Sequence, residues 1–373
     1  MPPSFGLALS DEQRLSWLRL IRSENVGART FRTLLNQFGG AGEALAALPD
    51  LARRGGATRQ LRLCSRADAE RELAGLARIR GRVIALGEPD YPAVLAQMEG
   101  APPLLTVIGS SAVFVQPSVS IVGARNASAA GRTFAARLAM DLGRAGFCIT
   151  SGLARGIDAA AHEASLSTGT VAVLAGGADS IYPPEHIPLL ARVLEGGAAV
   201  TEMPLGWEPR ARDFPRRNRI IAGLSMGTVI VEAAMRSGSL ITARLANEIG
   251  REVMAAPGSP LDPRCEGSNR LLRDGATLIT CAEHVVEALS PGLRHQPDLF
   301  ETSFSEGGQV SPAWNEDGEV RSRIEGLLGP SPCDVDDLVR LSGSSARDVQ
   351  MSLLELELAG RLERHGNGRI SLI

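Results

Sequence analysis

The sequence predicts an α/β protein organised around a parallel, doubly wound sheet, with a helical region before it and a winged-helix-like module after it. Three observations carry this expectation. From about Val119 to residue 290, short apolar runs alternate with helical stretches, the pattern of strand–helix units laid on a parallel sheet. The chain has 373 residues, more than one ordinary domain accommodates. Residues 291–315 are rich in Pro, Gly and Ser and lack periodicity, so a linker separates the sheet region from the tail. The resulting partition is a helical domain at 1–85, a core at 86–290, the linker, and a tail domain at 316–373.

In residues 10–85 the spacing predicts helices. Leu15, Trp17, Leu18 and Ile21 fall near helical period over residues 11–21, and Asn25-Val-Gly27 supplies a turn. Thr30 is placed to cap the next helix, whose face carries Leu34, Leu35 and Phe38 and which ends at Gly39-Gly40. Short helices joined by a Val-Gly turn are similar to helix-hairpin-helix modules, whose turn amides meet DNA phosphates.

Seven runs qualify as strands: 119–122, 147–150, 171–174, 198–201, 228–231, 252–255 and 277–279. Helical stretches at 129–145, 157–167, 240–249 and 282–289 separate most of them. In the tail, helical patterns around 320–328, 335–341 and 346–359 precede a hairpin of 361–364 and 369–372 about a Gly366-Asn-Gly368 turn. Three helices and a hairpin are the winged-helix arrangement, which often enters the major groove of DNA. Residues 316–373 carry 11 acids against 7 arginines, however, which favours a protein contact over a phosphate contact.

Composition removes whole classes of chemistry. The chain contains no lysine, and all 39 basic residues are arginine. P-loop nucleotide hydrolysis, the kinase β3 lysine and Schiff-base chemistry are therefore unavailable, whereas bidentate phosphate contacts suit arginine well. Five scattered cysteines with no CxxC pair argue against a disulfide framework or a structural zinc, and no metal is expected. The longest uncharged run, 100–124, is interrupted by Pro102, Pro103 and Pro117 and does not span a membrane. With no signal-peptide pattern at the N-terminus, a cytoplasmic protein is expected.

Charge is uneven. Residues 1–85 carry 14 Arg against 8 acids (+6), residues 86–290 carry 17 against 20 (−3), and residues 291–373 carry 8 against 14 (−6).

Ligands of an open parallel sheet bind at the carboxyl ends of its strands, and there the unusual residues fall. They are Gly123-Ala-Arg125 with Ser128 as a cap, the loop from Ser151 and Gly152 to Arg155 and Asp158, Gly176-Gly177-Ala-Asp179, and Glu232 followed by Ser237-Gly238-Ser239. Glycines admit a ligand to the backbone, and helix N-termini favour an anion, so these loops point to a phosphate-bearing ligand. The stretch from Glu208 to Arg219 (EPRARDFPRRNR) adds five Arg against two acids around Phe214, the composition of a nucleic-acid contact in which arginine holds phosphate and the ring stacks a base. With 14 aromatics in all, a broad stacking platform is not expected, and recognition would rest on the backbone.

Enzymatic readings are thinner. Gly223-Leu-Ser225-Met-Gly227 has the GxSxG string in the reversed strand–helix context, which excludes a nucleophile elbow. Asp158 and His162 stand at i and i+4 and could form an acid–base pair or a structural contact. GxGxxG is absent, and no cofactor is expected.

Several long strings together resemble one family. SGLARGID (151–158), FPRRNRIIAGLS (214–225), VEAAMRSGSLITA (231–243), Pro257-Gly258 and NRLLRDGA (269–276) are similar, in order, to the DNA-processing protein A (DprA/Smf) family. The resemblance implies an extended Rossmann-like core binding single-stranded DNA. A helical domain of the SAM or helix-hairpin-helix kind precedes it and a winged-helix-like domain follows. It also implies a homodimer that loads RecA during natural transformation. By the same resemblance Arg125 takes the place of a phosphate-binding arginine. Arg210 and Phe214 lie in the segment supplying a basic residue and a base-contacting phenylalanine. The full candidate DNA-contact set is Gly123, Arg125, Gly152, Arg155, Arg210, Phe214, Arg217, Asn218, Arg219, Ser237, Gly238 and Ser239. Self-association is expected through the far sheet edge at Arg270, Leu271 and Leu278. The alternative is a nucleotide-processing enzyme using the same pocket, with Asp158 or His162 as acid or base.

Overall fold

The structure, a computed structural model, describes residues 8–294, 318–365 and 368–373. Four helices open the chain: α1 (Asp11–Arg22), α2 (Ala28–Phe38), α3 (Ala41–Arg54) and α4 (Arg66–Arg78). A reciprocal capping box starts α1, Ser10 accepting from the Gln13 amide and Gln13 accepting from the Ser10 amide. Trp17 of α1 meets Phe31 of α2 edge to face, centroids 5.0 Å apart. Thr30 does not cap α2, as its position suggested. Gly27 is the cap residue, and Thr30 is buried inside the first turn with its hydroxyl turned to Glu357.

The central sheet follows: β1 (Gly81–Ala85), β2 (Leu104–Gly109), β3 (Ser118–Gly123), β4 (Cys148–Ser151), β5 (Thr170–Val173), β6 (Ala198–Thr201), β7 (Gly227–Val231), β8 (Glu252–Ala255) and β9 (Thr277–Leu278). Between the strands run α5 (Ala93–Ala96), α6 (Ala129–Arg144), α7 (Ile157–Ala164), α8 (Ile187–Gly196), α9 (Asp213–Gly223), α10 (Gly238–Glu248), α11 (Glu266–Arg273) and α12 (Ala282–Arg294). The strand order is β1-β2-β6-β5-β4-β3-β7-β8-β9, parallel from β6 to β9. The chain winds outward from β3 to β6, then returns to β7 beside β3, so the switch point of the sheet lies between β3 and β7.

All seven expected strands form. Two further strands do not match the sequence reading: β1 lies within the region assigned to helices, and β2 lies inside the uncharged run. They add antiparallel at the β6 edge, so the sheet is mostly rather than wholly parallel. Short apolar runs such as RVIA carry no period that separates strand from helix, which is why β1 escapes notice. Helix α12 runs on through Pro291 to Arg294. The remainder of the expected linker, and the centre of the Gly366-Asn-Gly368 turn, lie outside the described residues.

One face of the sheet packs Val119, Ile121, Ile149 and Val229 against Leu138, Leu142, Val285 and Leu289 of α6 and α12. The other packs Ala172 and Ala199 against Leu189, Leu190 and Val193 of α8. The tail forms α13 (Gly318–Leu327), α14 (Val335–Ser342), α15 (Ala346–Leu358) and the hairpin β10 (Leu362–Arg364) with β11 (Ile370–Leu372), around Ile324, Leu338, Val349, Leu353, Leu356 and Ile370.

The chain divides into two compact units. One holds the described residues of Arg71–Ser303, hence the whole nine-stranded sheet; the other joins Leu9–Glu70 to the described residues of the tail. Within this second unit α15 packs on α3. No helix among the described residues is long and apolar enough to cross a membrane.

Candidate nucleic-acid interface

The four strand-end loops come together along the carboxyl edge of the sheet, but two of them already receive a carboxylate of the chain itself, and a third gives its own to the loop after β6. After β7, Glu232 adopts a left-handed backbone (φ 54°). Its carboxylate turns to the N-terminus of α6, accepting from the Ser128 amide at 2.9 Å and from the Ser128 hydroxyl. Ser128 does cap α6, its oxygen accepting from the Gly131 amide at 2.9 Å. At α7, buried Asp158 accepts from the Gly152 amide at 3.1 Å and the Ala154 amide at 3.3 Å. Burial pushes its carboxyl above the usual range, against the pull of the Arg217 guanidinium and those amides. In the loop after β5, Asp179 accepts from the Gly206 amide at 2.7 Å. At the start of α10 the hydroxyls of Ser237 and Ser239 pair at 2.7 Å, and Asn218 donates to the Gly238 carbonyl at 3.2 Å.

Arg217 organises the centre of the edge. It is buried, and its Nη1 donates to the carbonyls of Gly152 and, at 2.7 Å, Val173. Burial lowers its pKa to about 10. Gly152 makes room for it: a Cβ there would stand 2.0 Å from Nη1. Arg217 Nε has no hydrogen-bond partner among the described residues.

Around Arg217 sits a small aromatic–cation cluster. The Phe214 ring lies 6.0 Å from the Arg217 guanidinium and 5.1 Å from that of Arg125, which follows β3 and is exposed. Tyr182 meets Phe214 edge to face at 5.5 Å and is 47 % exposed, so the cluster reaches solvent. Sequence reasoning missed Tyr182; the available signal was an aromatic in the same loop as Gly176-Gly177-Ala-Asp179.

The other candidates are placed less uniformly. Gly123 ends β3, opposite Val231. Arg155 is exposed and pairs with Glu185. Arg210 is exposed with its guanidinium 5.2 Å over Trp207, whose indole donates to Asp213. Arg219 turns inward, donating to the Gly100 carbonyl at 2.7 Å and pairing with Glu202, which also takes Arg216 at 2.8 Å. Of the five arginines in the basic stretch, Arg217 and Arg219 thus serve the fold, while Arg210, Arg212 and Arg216 stand exposed. At the far edge, Arg270 is exposed and pairs with Asp274 at 3.4 Å, Leu271 is half-buried, and Leu278 of β9 is 52 % exposed.

Asp158 and His162 serve separate partners. The Thr170 hydroxyl donates to the Ile149 carbonyl at 2.7 Å, so its oxygen receives His162 Nδ1–H, also at 2.7 Å. The imidazole is fully buried, and burial with the nearby Arg217 charge pushes its pKa down to about 3. A neutral ring sealed from solvent cannot exchange a proton with a ligand. Among the described residues no group of three or more His, Cys, Asp or Glu could hold a metal ion.

Comparison with known proteins agrees with this architecture. The family model described as DNA recombination-mediator protein A matches residues 82–290. A DprA-like N-terminal HHH domain matches 11–75, and a DprA winged helix domain matches 311–368. Protein Smf of Escherichia coli is 40% identical over 300 residues, covering 77% of this chain and 79% of that protein. The X-ray structure of DNA processing protein A from Streptococcus pneumoniae is similar at a TM-score of 0.62 and 31% identity, covering 75% of this chain and 98% of that one. A structure described as showing the single-stranded DNA binding mode of DNA processing protein A from Helicobacter pylori is similar at 0.53 and 25% identity, covering 58% and 98%. With the central match spanning the whole Rossmann-like sheet and a flanking match at each end, the chain belongs to the DNA recombination-mediator protein A (DprA/Smf) family.

Proposed function

We propose that this protein binds single-stranded DNA as a recombination mediator, protecting incoming strands and loading RecA during natural transformation in the cytoplasm. The observation that carries the reading is Arg125 lying over Phe214, beside Tyr182, at the carboxyl edge of the sheet. An exposed guanidinium on an aromatic face is poised for exchange: Arg125 takes a backbone phosphate and a base takes the vacated ring face. Family membership supports the mediator role, and the Helicobacter pylori relative supports the single-stranded ligand. Arg155, Arg210 and the start of α10 at Ser237, Gly238 and Ser239 continue the contact, while Gly152, Arg217, Asn218 and Arg219 fix the edge from within. A second copy joins through the β9 edge at Arg270, Leu271 and Leu278, where half-exposed Leu278 lies on a terminal strand.

For the nucleotide-processing reading, His162 is sealed and bonded to Thr170, which leaves Asp158 as its acid or base. The discriminating experiment titrates oligonucleotides of several sequences across salt. Arg125→Ala weakens all of them about equally and lowers the log–log salt slope by roughly 0.7. An unchanged slope makes Arg125 a structural arginine. Nucleotide turnover abolished by changing Asp158 would instead reinstate the enzyme.

A further inference from the structure

The unit formed by the two ends of the chain turns both of its candidate DNA-reading elements inward. In a winged helix the third helix reads DNA with the face opposite its own core. In α15 the core face is Val349, Leu353 and Leu356. Leu354 and Leu358 lie roughly half a turn round the helix from these and outside that cluster, yet both are buried. What covers this side is the N-terminal region. Helix α3 packs on α15, and Gly55 at its end approaches so closely that a Cβ would stand 1.9 Å from the Glu355 carbonyl oxygen and 2.9 Å from Ala359 Cβ.

The reverse is also seen. A helix-hairpin-helix turn offers phosphate the amides of its second helix's first turn, which that helix cannot satisfy. Here that place is the first turn of α2, and the tail sets a carboxylate beside it, taken by a side-chain hydroxyl rather than by the amides. The Thr30 hydroxyl donates to Glu357 Oε1 at 2.8 Å, and Glu357 Oε2 is held by Arg364 at 2.9 Å. In the turn itself, Asn25 donates to the Leu358 carbonyl at 2.9 Å. Arg361 reaches back to the Gly55 carbonyl at 3.1 Å. The charges are complementary: residues 9–70 carry 10 Arg against 7 acids (+3), residues 316–373 carry 7 against 11 (−4).

We propose that the acidic winged helix is a built-in competitor for DNA. Docked on the N-terminal helices, it sets the Glu357 carboxylate on Thr30 in the first turn of α2, holds the hairpin turn through Asn25, and surrenders the reading face of α15 to α3. Both elements meet DNA backbone only when this seam opens. The proposal concerns a surface other than the sheet edge and does not depend on single strands binding there.

The full chain tests it, with a short duplex oligonucleotide as ligand and hydrogen exchange as the local readout. Gly55→Val wedges the seam, since its backbone (φ −66°) admits a side chain and the contacts with Glu355 of α15 and Ala359 at its cap forbid one. Glu357→Arg removes the carboxylate that takes the Thr30 hydroxyl and sets a cation against N-terminal helices of net positive charge. Opening is registered as faster exchange across residues 354–358. In the wild type, duplex leaves exchange at 26–31 and 346–354 unchanged. In the opened variants duplex slows exchange at both segments, and the log–log salt slope for duplex steepens by about 0.9 per phosphate gained. Opened variants without that protection, wild-type protein already showing it, or a seam that neither variant opens would each overturn the proposal.

Discussion

The buried histidine makes the sharpest prediction, because its environment fixes both sign and size. In the unfolded chain an imidazole titrates near 6.5; in the fold His162 is held down to about 3. Between those values the unfolded state carries a proton that the native state refuses. Stability from this group is therefore fully present above pH 6.5 and is lost as the pH falls toward 3. Each unit in that window amounts to about 1.4 kcal/mol. Going from pH 7 to pH 5 should thus remove about 2 kcal/mol through this residue alone.

His162→Asn isolates the share, because the Asn amide can still donate to Thr170 where Nδ1–H did. Urea unfolding at pH 7, 6 and 5 measures it. The variant starts from a lower stability at pH 7, having lost ring volume from a packed site, but should show a pH dependence about 2 kcal/mol shallower over this range. Equal slopes would mean that His162 is not sealed. So would an imidazole found by NMR to titrate near its ordinary value, and the acid–base pairing with Asp158 would then have to be taken up again.

Further outcomes follow from the same geometry. Gly152→Ala should destabilise the core by on the order of 3–5 kcal/mol, since its Cβ displaces the Arg217 guanidinium and strands a buried charge; an unchanged Tm would contradict that packing. Leu278→Asp should leave a monomer in sedimentation at micromolar concentration; a variant as associated as the wild type would move the self-association surface away from β9. Ending the chain before Ser311 should preserve single-stranded DNA binding, because every loop of the sheet edge precedes that point. The same truncation should speed hydrogen exchange in residues 25–55, which lose Leu358, Glu357 and Arg361 as partners. Loss of binding with the core still folded by circular dichroism would make the tail a DNA module.

Much of the fold is legible because the central strands are buried on both faces. Thr228–Val231 is an unbroken β-branched run and Val119–Val122 is interrupted only by Ser120, each leading into a glycine-containing turn or loop, and such runs leave no other place to go. β2 has the same composition but follows Pro102-Pro103 and joins antiparallel, so no strand–helix rhythm announces it. The site divides along similar lines. Arg125 and Phe214 stand out by type and position. The inward course of Arg217 and Arg219 does not, since an arginine's destination depends on partners that are remote in sequence: the space at Gly152 for one, Glu202 for the other. Tyr182 reaches the cluster only through the third dimension.

The strand-end loops teach a finer point about helix N-termini. Glycine and a cap residue before a helix mark an electropositive end in sequence, and several along one sheet edge suggest a phosphate cradle. At α6 and α7 that potential is met from within, by Glu232 and Asp158. Such internal anions lock each loop to its neighbour: Glu232 ties the β7 end to the β3 loop, and Asp158 ties its helix start to the turn that receives Arg217. The amides therefore stiffen the edge rather than receive the ligand. On the proposed reading, what remains for a polyanion is what projects from that stiffened edge, namely Arg125 on its ring, Arg210 on Trp207, and Ser237 with exposed Gly238 at the start of α10. Side-chain arginines follow a backbone of any sequence, whereas a ring of fixed amides suits one compact phosphate. On the proposed reading, the internal carboxylates thereby favour a strand over a small nucleotide as the ligand of this edge.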